Sequence, residues 1–199
     1  MKVELHLHTT RFSGCALCSP AQMISALVER NYNAVYITEH DAVWPEDELK
    51  LLRAEFPTIK IFPGMELTLT EGGHLLVLGS NDKAYLKMNQ PAEILQRAKH
   101  LGHLTILAHP FRWAGGDEIL QSHNLPDALE YRTNNHDAAG GLLARAAADK
   151  FCLPLVNAGD CHSVGMVDQF WIETQVELKR QKDIRRIIVE GLYRNCAKA

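Results

Sequence analysis

Val3-Glu4-Leu5-His6-Leu7-His8-Thr9 is the stretch from which the fold and the site follow. Apolar and polar residues alternate in it, which is the pattern of a half-buried β-strand. Alternate side chains of a strand share a face, so we expect His6 and His8 to point one way and Leu5 and Leu7 the other. Two imidazoles held close together on a rigid strand form half of a transition-metal site. Two half-buried structural histidines would give the same pattern.

The composition indicates a globular protein with one sizeable hydrophobic core. The chain has 199 residues, of which 46% are hydrophobic and 23% charged, as is usual for soluble proteins. Its net charge of −3 provides no overall basic field for nucleic acid. No apolar run is long enough to span a bilayer, and the first residues have a strand pattern rather than that of a signal peptide. We therefore expect a single domain over residues 1–199, located in the cytoplasm.

Strand patterns alternate with helix patterns along the chain. The predicted strands cover residues 2–8, 34–37, 59–62, 74–78, 104–108, 128–131, 153–157 and 170–172. The predicted helices cover residues 20–30, 45–56, 91–100, 117–122, 138–150 and 179–192. Ser19 and Pro20 are typical of a helix start, because serine caps a helix and proline suits its first position. This alternation predicts an α/β protein with a mainly parallel sheet.

Side chains of the metal-ligand type lie at or just past the ends of several predicted strands. They are His8, His40, Glu66, His109 and the pair Asp160 and His162. Each of them alone has a structural explanation, such as a helix cap or a buried histidine with a satisfied hydrogen bond. In a parallel barrel the carboxyl ends of all strands converge on one mouth, whereas an open sheet offers a crevice between a few strands. Such residues on so many strands favour a small, irregular closed barrel.

Six short motifs occur in the order in which the PHP family has them. They are His6-Leu7-His8-Thr9, Thr38-Glu39-His40-Asp41, Gly64-Met65-Glu66, Gly73-His74, Ala108-His109-Pro110 and Gly159-Asp160-Cys161-His162-Ser163. The chain resembles this family, which is named for the domain shared by bacterial DNA polymerases and histidinol phosphatase. The resemblance implies a distorted (β/α)7 barrel, similar to a TIM barrel. It also implies two or three divalent metal ions, usually zinc, manganese or iron.

The resemblance implies the metal ligands position by position. For the first ion they are His6, His8, Glu66 and Asp160. Glu66 would bridge to a second ion, which His74 and His109 would also hold.

A third ion in the family would use His40 and His162. Its remaining ligand, a histidine or aspartate, usually lies six residues after the second histidine of the first motif, where this chain has Gly14. Three alternatives follow from that glycine. Ser13 or Cys15 stands in for the ligand, the third site is weak, or His40 and His162 contact the substrate instead.

Two neighbouring ions favour phosphate ester hydrolysis. They lower the pKa of a shared water and bind the oxygens of a phosphoryl group while charge builds on it. The expected nucleophile is a metal-bridging hydroxide. His40 or His162, if not bound to a third ion, would protonate the leaving oxygen. Arg112 is the preferred phosphate contact, ahead of Arg11 and Arg132, because a guanidinium matches the geometry of phosphate.

The expected partner is a small phosphorylated substrate. A phosphodiesterase or nuclease acting on nucleic acid ranks lower, because only 7% of the residues are aromatic and the net charge is negative. The alternative from another class is a non-catalytic metal-binding interaction domain. Residues 134–137 (Asn-Asn-His-Asp) are interpreted as a polar helix start rather than a substrate loop. An apolar stripe on the last predicted helix fits core packing and a homodimer contact equally.

Overall fold

The computed structural model describes residues 1–70 and 72–198, in which nine strands form one mixed sheet. The strands are β1 (Lys2–Leu7), β2 (Ala34–Ile37), β3 (Lys60–Thr68), β4 (His74–Leu78), β5 (Leu104–Ala108), β6 (Ala128–Glu130), β7 (Leu155–Val156), β8 (Phe170–Thr174) and β9 (Tyr193–Ala197). Their order in the sheet is β7-β6-β5-β4-β3-β2-β1-β8-β9. All eight strands predicted from the sequence are present; β2, β4 and β5 have the predicted ends, and the ends of the other five differ.

The helices lie between the strands. They are α1 (Pro20–Glu29), α2 (Glu46–Glu55), α3 (Pro91–Leu101), α4 (Ala138–Phe151) and α5 (Asp183–Val189), with short 3₁₀ turns at Lys83–Lys87 and Glu118–Gln121. The predicted start of α1 is confirmed, since the Ser19 side chain accepts a hydrogen bond from the backbone N–H of Gln22. None of the helices in the described residues is long and apolar enough to cross a bilayer.

The sheet curls until strands that are not neighbours share one core. Leu5 of β1 and Ile106 of β5 belong to the same buried cluster, which also holds Ile184 of α5. Because three strands separate β1 from β5 in the sheet, these side chains meet only across the inside of a curved sheet. Two further clusters bury the faces of α1 to α4 against the outside of the strands. The predicted α/β, TIM-like barrel is therefore confirmed.

A seam between β1 and the segment after β7 nearly closes the barrel. Leu7 forms a parallel bridge with Cys161, in which the His8 N–H donates to the Cys161 carbonyl at 2.9 Å. The Cys161 N–H donates in turn to the His6 carbonyl at 3.1 Å. At the other end of β1 the neighbour is β8, which is paired with β9, and Lys2 lies opposite Glu173. The seam places His6 of β1 and His8, just after it, beside the chain that follows β7.

A buried carboxylate holds this seam together. Oε1 of Glu4 accepts hydrogen bonds from the backbone N–H groups of Leu5 (3.0 Å), His6 (3.1 Å) and Gly159 (2.6 Å). Burial raises the pKa of Glu4 to about 7 although these donors oppose it. The pairing of β1 with β2 is irregular between Glu4 and Leu7. Leu5 and Leu7 consequently pack into different clusters, so the prediction that they share one face was wrong.

The sheet is less parallel than predicted. Four of the eight strand pairings among the described residues are antiparallel: β3 with β4, β4 with β5, β1 with β8, and β8 with β9. The connection from β3 to β4 is too short for a crossover helix, so the chain turns back as a hairpin through Gly72 and Gly73. β3 also continues past its predicted end at residue 62, as far as Thr68.

The C-terminal part of the chain differs from its prediction as well. The last helix is shorter than the predicted 179–192, because α5 covers only Asp183–Val189. β9 follows it and pairs with β8 over five residues, from Phe170 opposite Ala197 to Thr174 opposite Tyr193. Of the apolar stripe of this helix, Ile184, Ile187 and Ile188 are fully buried in the interior cluster, and Leu192, which follows α5, packs against that cluster partly buried. Core packing accounts for that stripe.

Candidate metal centre

One edge of the barrel gathers all the sequence-predicted ligands. They lie in or just after the strands as follows: His6 in β1, His8 after β1, His40 after β2, Glu66 in β3, His74 in β4, His109 after β5, and Asp160 and His162 after β7. His74 reaches this edge because β4 runs in the opposite direction. The first residue of β4 therefore lies opposite Thr68 and Ala108, the last residues of β3 and β5.

Four ligand atoms converge at the seam. Nε2 of His6 and Nε2 of His8 are 2.9 Å apart. Oε2 of Glu66 lies 3.2 and 3.1 Å from these two nitrogens, and Oδ1 of Asp160 lies 3.3 Å from both. A tetrahedral zinc ion bound at about 2.0–2.1 Å separates its ligand atoms by about 3.3 Å. The spacing of the four atoms therefore fits one small divalent cation.

Glu66 faces a second set of histidines with its other oxygen. Oε1 lies 2.7 Å from Nδ1 of His74 and 3.1 Å from Nε2 of His109. Oε2 also approaches Nδ1 of His40 at 3.0 Å. Backbone pairing fixes this arrangement, because the Asp41 N–H donates to the Glu66 carbonyl and the Glu66 N–H to the Glu39 carbonyl. The carboxylate thus has the placement of a group that bridges two cations.

The third predicted position is the least complete. His8, His40 and His162 offer nitrogens that all lie within 4.8 Å of one another. The Ser13 hydroxyl is already committed, since it donates to Oε2 of Glu39 at 2.5 Å and accepts from the backbone N–H of His40 at 3.2 Å. Cys15 lines the same cavity as His40 and His162 but is not part of the three-histidine group. Gly14 leaves open space where the usual ligand would stand.

Hydrogen bonds at the far nitrogens fix two of the imidazoles. Nδ1 of His6 lies 2.7 Å from Oε1 of Glu130. Nδ1 of His8 lies 3.2 Å from the Ser13 hydroxyl, whose proton goes to Glu39. Both Nδ1 atoms are therefore donors, which leaves a lone pair on each Nε2. A carboxylate or hydroxyl behind a histidine is the usual support of a metal-binding imidazole.

Glu130, Glu39 and Asn135 are positioning residues that the sequence interpretation did not identify. Glu130 ends β6, so the rule of strand-end carboxylates could have found it. Glu39 adjoins His40 in a quoted motif, but its role depends on the approach of Ser13. The amide of Asn135 donates to Oδ2 of Asp160 at 2.7 Å and lines the cavity. Residues 134–137 thus form more than the predicted helix start, although Asp137 does cap α4.

The electrostatics of the site favour a cation. Burial lowers the pKa of His6, but the carboxylates of Asp160, Glu66 and Glu130 outweigh it and raise that pKa well above 6.5. The pKa of Glu66 is lowered well below 4.5, because His6 and the other neighbouring histidines outweigh the effect of burial. Burial raises the pKa of Asp160, but His6 and His8 outweigh it and lower that pKa, so both carboxylates are ionised. A field that favours protonation of His6 attracts a metal ion for the same reason.

Two buried carboxylate oxygens without hydrogen-bond partners are further reason to expect a metal ion here. Oε2 of Glu66 and Oδ1 of Asp160 are buried and form no hydrogen bond of acceptable geometry. Both face the Nε2 atoms of His6 and His8 across the short distances given above. A buried carboxylate oxygen without a hydrogen bond is costly unless a cation compensates it. The donor set of imidazoles and carboxylates is that of zinc, manganese or iron sites.

His40 and His162 are uncharged at neutral pH. Burial, with smaller contributions from neighbouring histidines, lowers the pKa of His40 to about 4. Burial likewise lowers the pKa of His162. Neutral imidazoles offer lone pairs to a cation or accept a proton.

Two of the candidate ligands have strained backbone. His109 has φ 28° and Asp160 has φ 47°, in the left-handed region that non-glycine residues rarely adopt. Such conformations cost of order 1–3 kcal/mol each and persist where the surroundings enforce them, often at functional sites. The Glu130 carboxylate accepts the His109 N–H at 2.7 Å and is one such constraint.

A cavity of about 450 Å³ opens over these residues. Its lining includes His40, His74, His109, Asp160 and His162, together with Cys15, Arg112, Trp113, Asn135 and Met166.

Arg112 forms no ion pair or side-chain hydrogen bond with any described residue, and its guanidinium lies against Trp113. Arg11, by contrast, is bound by Glu48 at 2.7 and 2.8 Å. Arg132 lies against Tyr131 and lines a different cavity. Of the three arginines considered, only Arg112 is available at this site.

Glu130→Gln should weaken metal binding about 10–100-fold without unfolding the protein. Glu130 accepts one hydrogen bond from Nδ1 of His6 and one from the His109 backbone N–H, and the NH₂ group of a glutamine would present a donor to one of them. The measurement is competition with a chromophoric chelator at fixed pH. Glu55→Gln, an exposed carboxylate at the end of α2, is the matched control. Equal affinities for both variants and the parent would show that Glu130 does not orient His6.

Comparison with solved structures finds the same fold. A two-domain protein from Bacteroides vulgatus, which contains a predicted PHP-like metal-dependent phosphoesterase, aligns with a TM-score of 0.76 at 17% identity, covering 99% of this chain. This chain spans 64% of that protein's length. PsfC from Pseudomonas syringae aligns with a TM-score of 0.67 at 17% identity, covering 100% of this chain and 91% of its own. A candidate metal-dependent phosphoesterase from Bifidobacterium adolescentis gives 0.67 at 14% identity, covering 93% and 94%.

The sequence alone gives no such match. No protein-family model and no curated protein matches the chain. At identities of 14–17% the likeness to the solved structures is one of fold. The six motifs lie on that fold, and the residues they predicted as ligands meet at one edge of the barrel. The chain therefore has the fold of these solved structures, and the fold that the resemblance implies is confirmed.

Proposed function

We propose that this protein is a metal-dependent phosphoesterase that hydrolyses a small phosphorylated molecule. The observation that carries the proposal is the placement of Glu66, whose two oxygens face two separate sets of histidines at the floor of a cavity. Arg112, which pairs with no carboxylate among the described residues, lines the same cavity. Ion pairs of cationic groups with a phosphoryl oxygen are the main means by which such sites lower the barrier to phosphoryl transfer.

The residues present would hold at least two ions. The first has four ligands in the proposal: His6, His8, Asp160 and Glu66. The second shares Glu66 and adds His74 and His109. Divalent ions held in this way supply a nucleophile at neutral pH and neutralise charge on the phosphoryl group.

The remaining residues bind the substrate, position a ligand or transfer a proton. Arg112 binds the phosphoryl oxygens through guanidinium N–H groups that no described residue occupies. Asn135 holds Asp160 through its outer oxygen, Oδ2, so that Oδ1 keeps facing the histidines. His40 and His162 line the cavity as neutral imidazoles, and we assign them to proton transfer or to a third ion.

The proposal predicts that chelation abolishes turnover and that added metal restores it. The chain is stripped with a chelator and reloaded in turn with zinc, manganese or, without oxygen, ferrous iron. Hydrolysis of p-nitrophenyl phosphate and bis-p-nitrophenyl phosphate is followed alongside metal content by mass spectrometry. The preferred ester separates a monoesterase from a diesterase acting on nucleic acid. Activity that survives chelation would contradict the proposal.

A second outcome also decides against it. Two ions per chain without turnover of any phosphate ester would favour a non-catalytic metal-binding domain. Asp160→Asn is the matched loss-of-ligand variant, and Asp47→Asn on the exposed start of α2 is its control. We expect the first to lose metal and activity together and the second to keep both.

A further inference from the structure

A tryptophan stands exposed at the cavity, next to two candidate ligands. The ring centroid of Trp113 lies 5.1 Å from that of His74 and 5.1 Å from that of His109. Trp113 is 44% exposed, and among the described residues it is the only large aromatic side chain that is exposed to this degree. An exposed indole beside buried polar residues leaves apolar, polarisable surface in contact with water. That surface is available to a bound molecule.

The backbone fixes the position of this indole. Its loop contains residues in the left-handed region, with φ 73° at Phe111 and 83° at Gly115. The loop approaches the turn before β4 so closely that a Cβ on Gly73 would lie 2.8 Å from the Cα of Gly116. The same two segments carry His74 and His109. The backbone of the loop therefore holds Trp113 in a defined position relative to His74 and His109.

Arg112 and Trp113 offer two different kinds of contact. The guanidinium carbon of Arg112 lies 4.5 Å from the centroid of the indole ring. A guanidinium that rests on a ring by its face keeps its N–H groups free in its own plane. Met166 lines the same cavity, and thioethers make favourable contacts with aromatic rings. A phosphate and a planar ring on one small molecule would satisfy both kinds of contact.

We propose that the substrate carries an aromatic ring that packs against Trp113 while Arg112 binds its phosphate. This inference rests on the proposed phosphoesterase function and specifies its substrate class as an aromatic phosphate ester. The cavity of about 450 Å³ lies within the range of small-molecule sites, about 300–1,000 Å³. The competing explanation is that Trp113 only shields His74 and His109 from water. A shield would affect all esters alike, whereas a ring contact affects aromatic esters selectively.

The test uses two esters that differ mainly in whether their ring is aromatic and planar. Benzyl phosphate and cyclohexylmethyl phosphate have leaving groups of similar size and basicity. We expect the metal-loaded protein to prefer benzyl phosphate about tenfold in kcat/KM, mainly through KM, as is usual for one stacking contact. Trp113→Leu should remove this preference, and Trp113→Phe should keep most of it. The control is Trp171→Leu on β8, where the tryptophan packs against Lys2 of β1. This variant should keep the full preference for benzyl phosphate.

Binding of the matching phosphonates separates this inference from the proposed function. Benzylphosphonate and cyclohexylmethylphosphonate are not hydrolysed, and their affinities are measured by calorimetry on the metal-loaded chain. A preference for the benzyl compound without turnover of either ester would keep the ring contact and reject the phosphoesterase. Turnover of both esters at equal efficiency would do the reverse. An equal loss for both esters in Trp113→Leu would show that Trp113 only shields the histidines and would overturn the inference.

Discussion

Glu66→Gln should lower kcat by at least about 10³-fold and should reduce the metal content of the chain. The substitution keeps the size of the side chain but removes the charge that faces His6, His8 and His40 on one side and His74 on the other. A bound divalent cation contributes several kcal/mol of transition-state stabilisation, and each 1.4 kcal/mol is about tenfold in rate. The loss therefore follows from one oxygen that can no longer serve as an anionic bridge.

Metal content by mass spectrometry and turnover of p-nitrophenyl phosphate are measured on the same sample. Glu48→Gln is the control, since Glu48 pairs with Arg11 on the surface. Circular dichroism checks that the Glu66 variant is folded. Full metal content with unchanged turnover in Glu66→Gln would mean that this carboxylate bridges nothing.

Gly159→Ala should destabilise the fold by about 1–3 kcal/mol, the usual range for overpacking in a filled interior. A Cβ at this position would lie 2.5 Å from Oε2 of Glu4 and would also clash with the sulfur of Cys161. The Glu4 side chain cannot move away without breaking the hydrogen bonds that it accepts from the backbone N–H groups of Leu5 and His6. The strain therefore falls on the backbone next to Asp160.

The free energy of unfolding is measured by urea denaturation. Gly14→Ala is the matched control because a Cβ there meets nothing within 4 Å, and we expect it to change stability by less than about 1 kcal/mol. Metal affinity is measured on both variants, and only Gly159→Ala should lose it. Equal stability of the two variants would show that the seam tolerates an added methyl group.

How far the sequence predicts this molecule depends on the range of the interactions involved. The period of a strand placed His6 and His8 on one face, and their Nε2 atoms do meet at 2.9 Å. Polar residues near predicted strand ends indicated one shared edge, because the carboxyl ends of parallel strands converge. Glu66, His109 and Asp160 do lie together there, although Glu66 stands inside β3 rather than after it. These features depend on local spacing, which one sequence contains.

The features that were missed depend on contacts between distant segments. The reversed direction of β4 follows from a hairpin, and the sequence around Gly72 and Gly73 marks only a chain break. β9 has no alternating pattern, and its pairing with β8 defines it. The Ser13 hydroxyl can be identified as a hydrogen-bond acceptor for His8 only once it is known that this hydroxyl donates to Glu39. The Trp113 loop is likewise defined by its approach to Gly73.

The seam between β1 and the chain after β7 has a consequence for the order in which the barrel forms. His6 and Asp160 come from opposite ends of the sequence, and Glu4 meets Gly159 across 155 positions. Contacts of such separation are costly in chain entropy and form late in folding. An ion bound by His6, His8, Glu66 and Asp160 would hold the two segments of the seam together after this late step. A ligand at 100 times its Kd stabilises the closed form by about 2.7 kcal/mol. We therefore expect the metal-free protein to open first at the seam between β1 and the chain after β7.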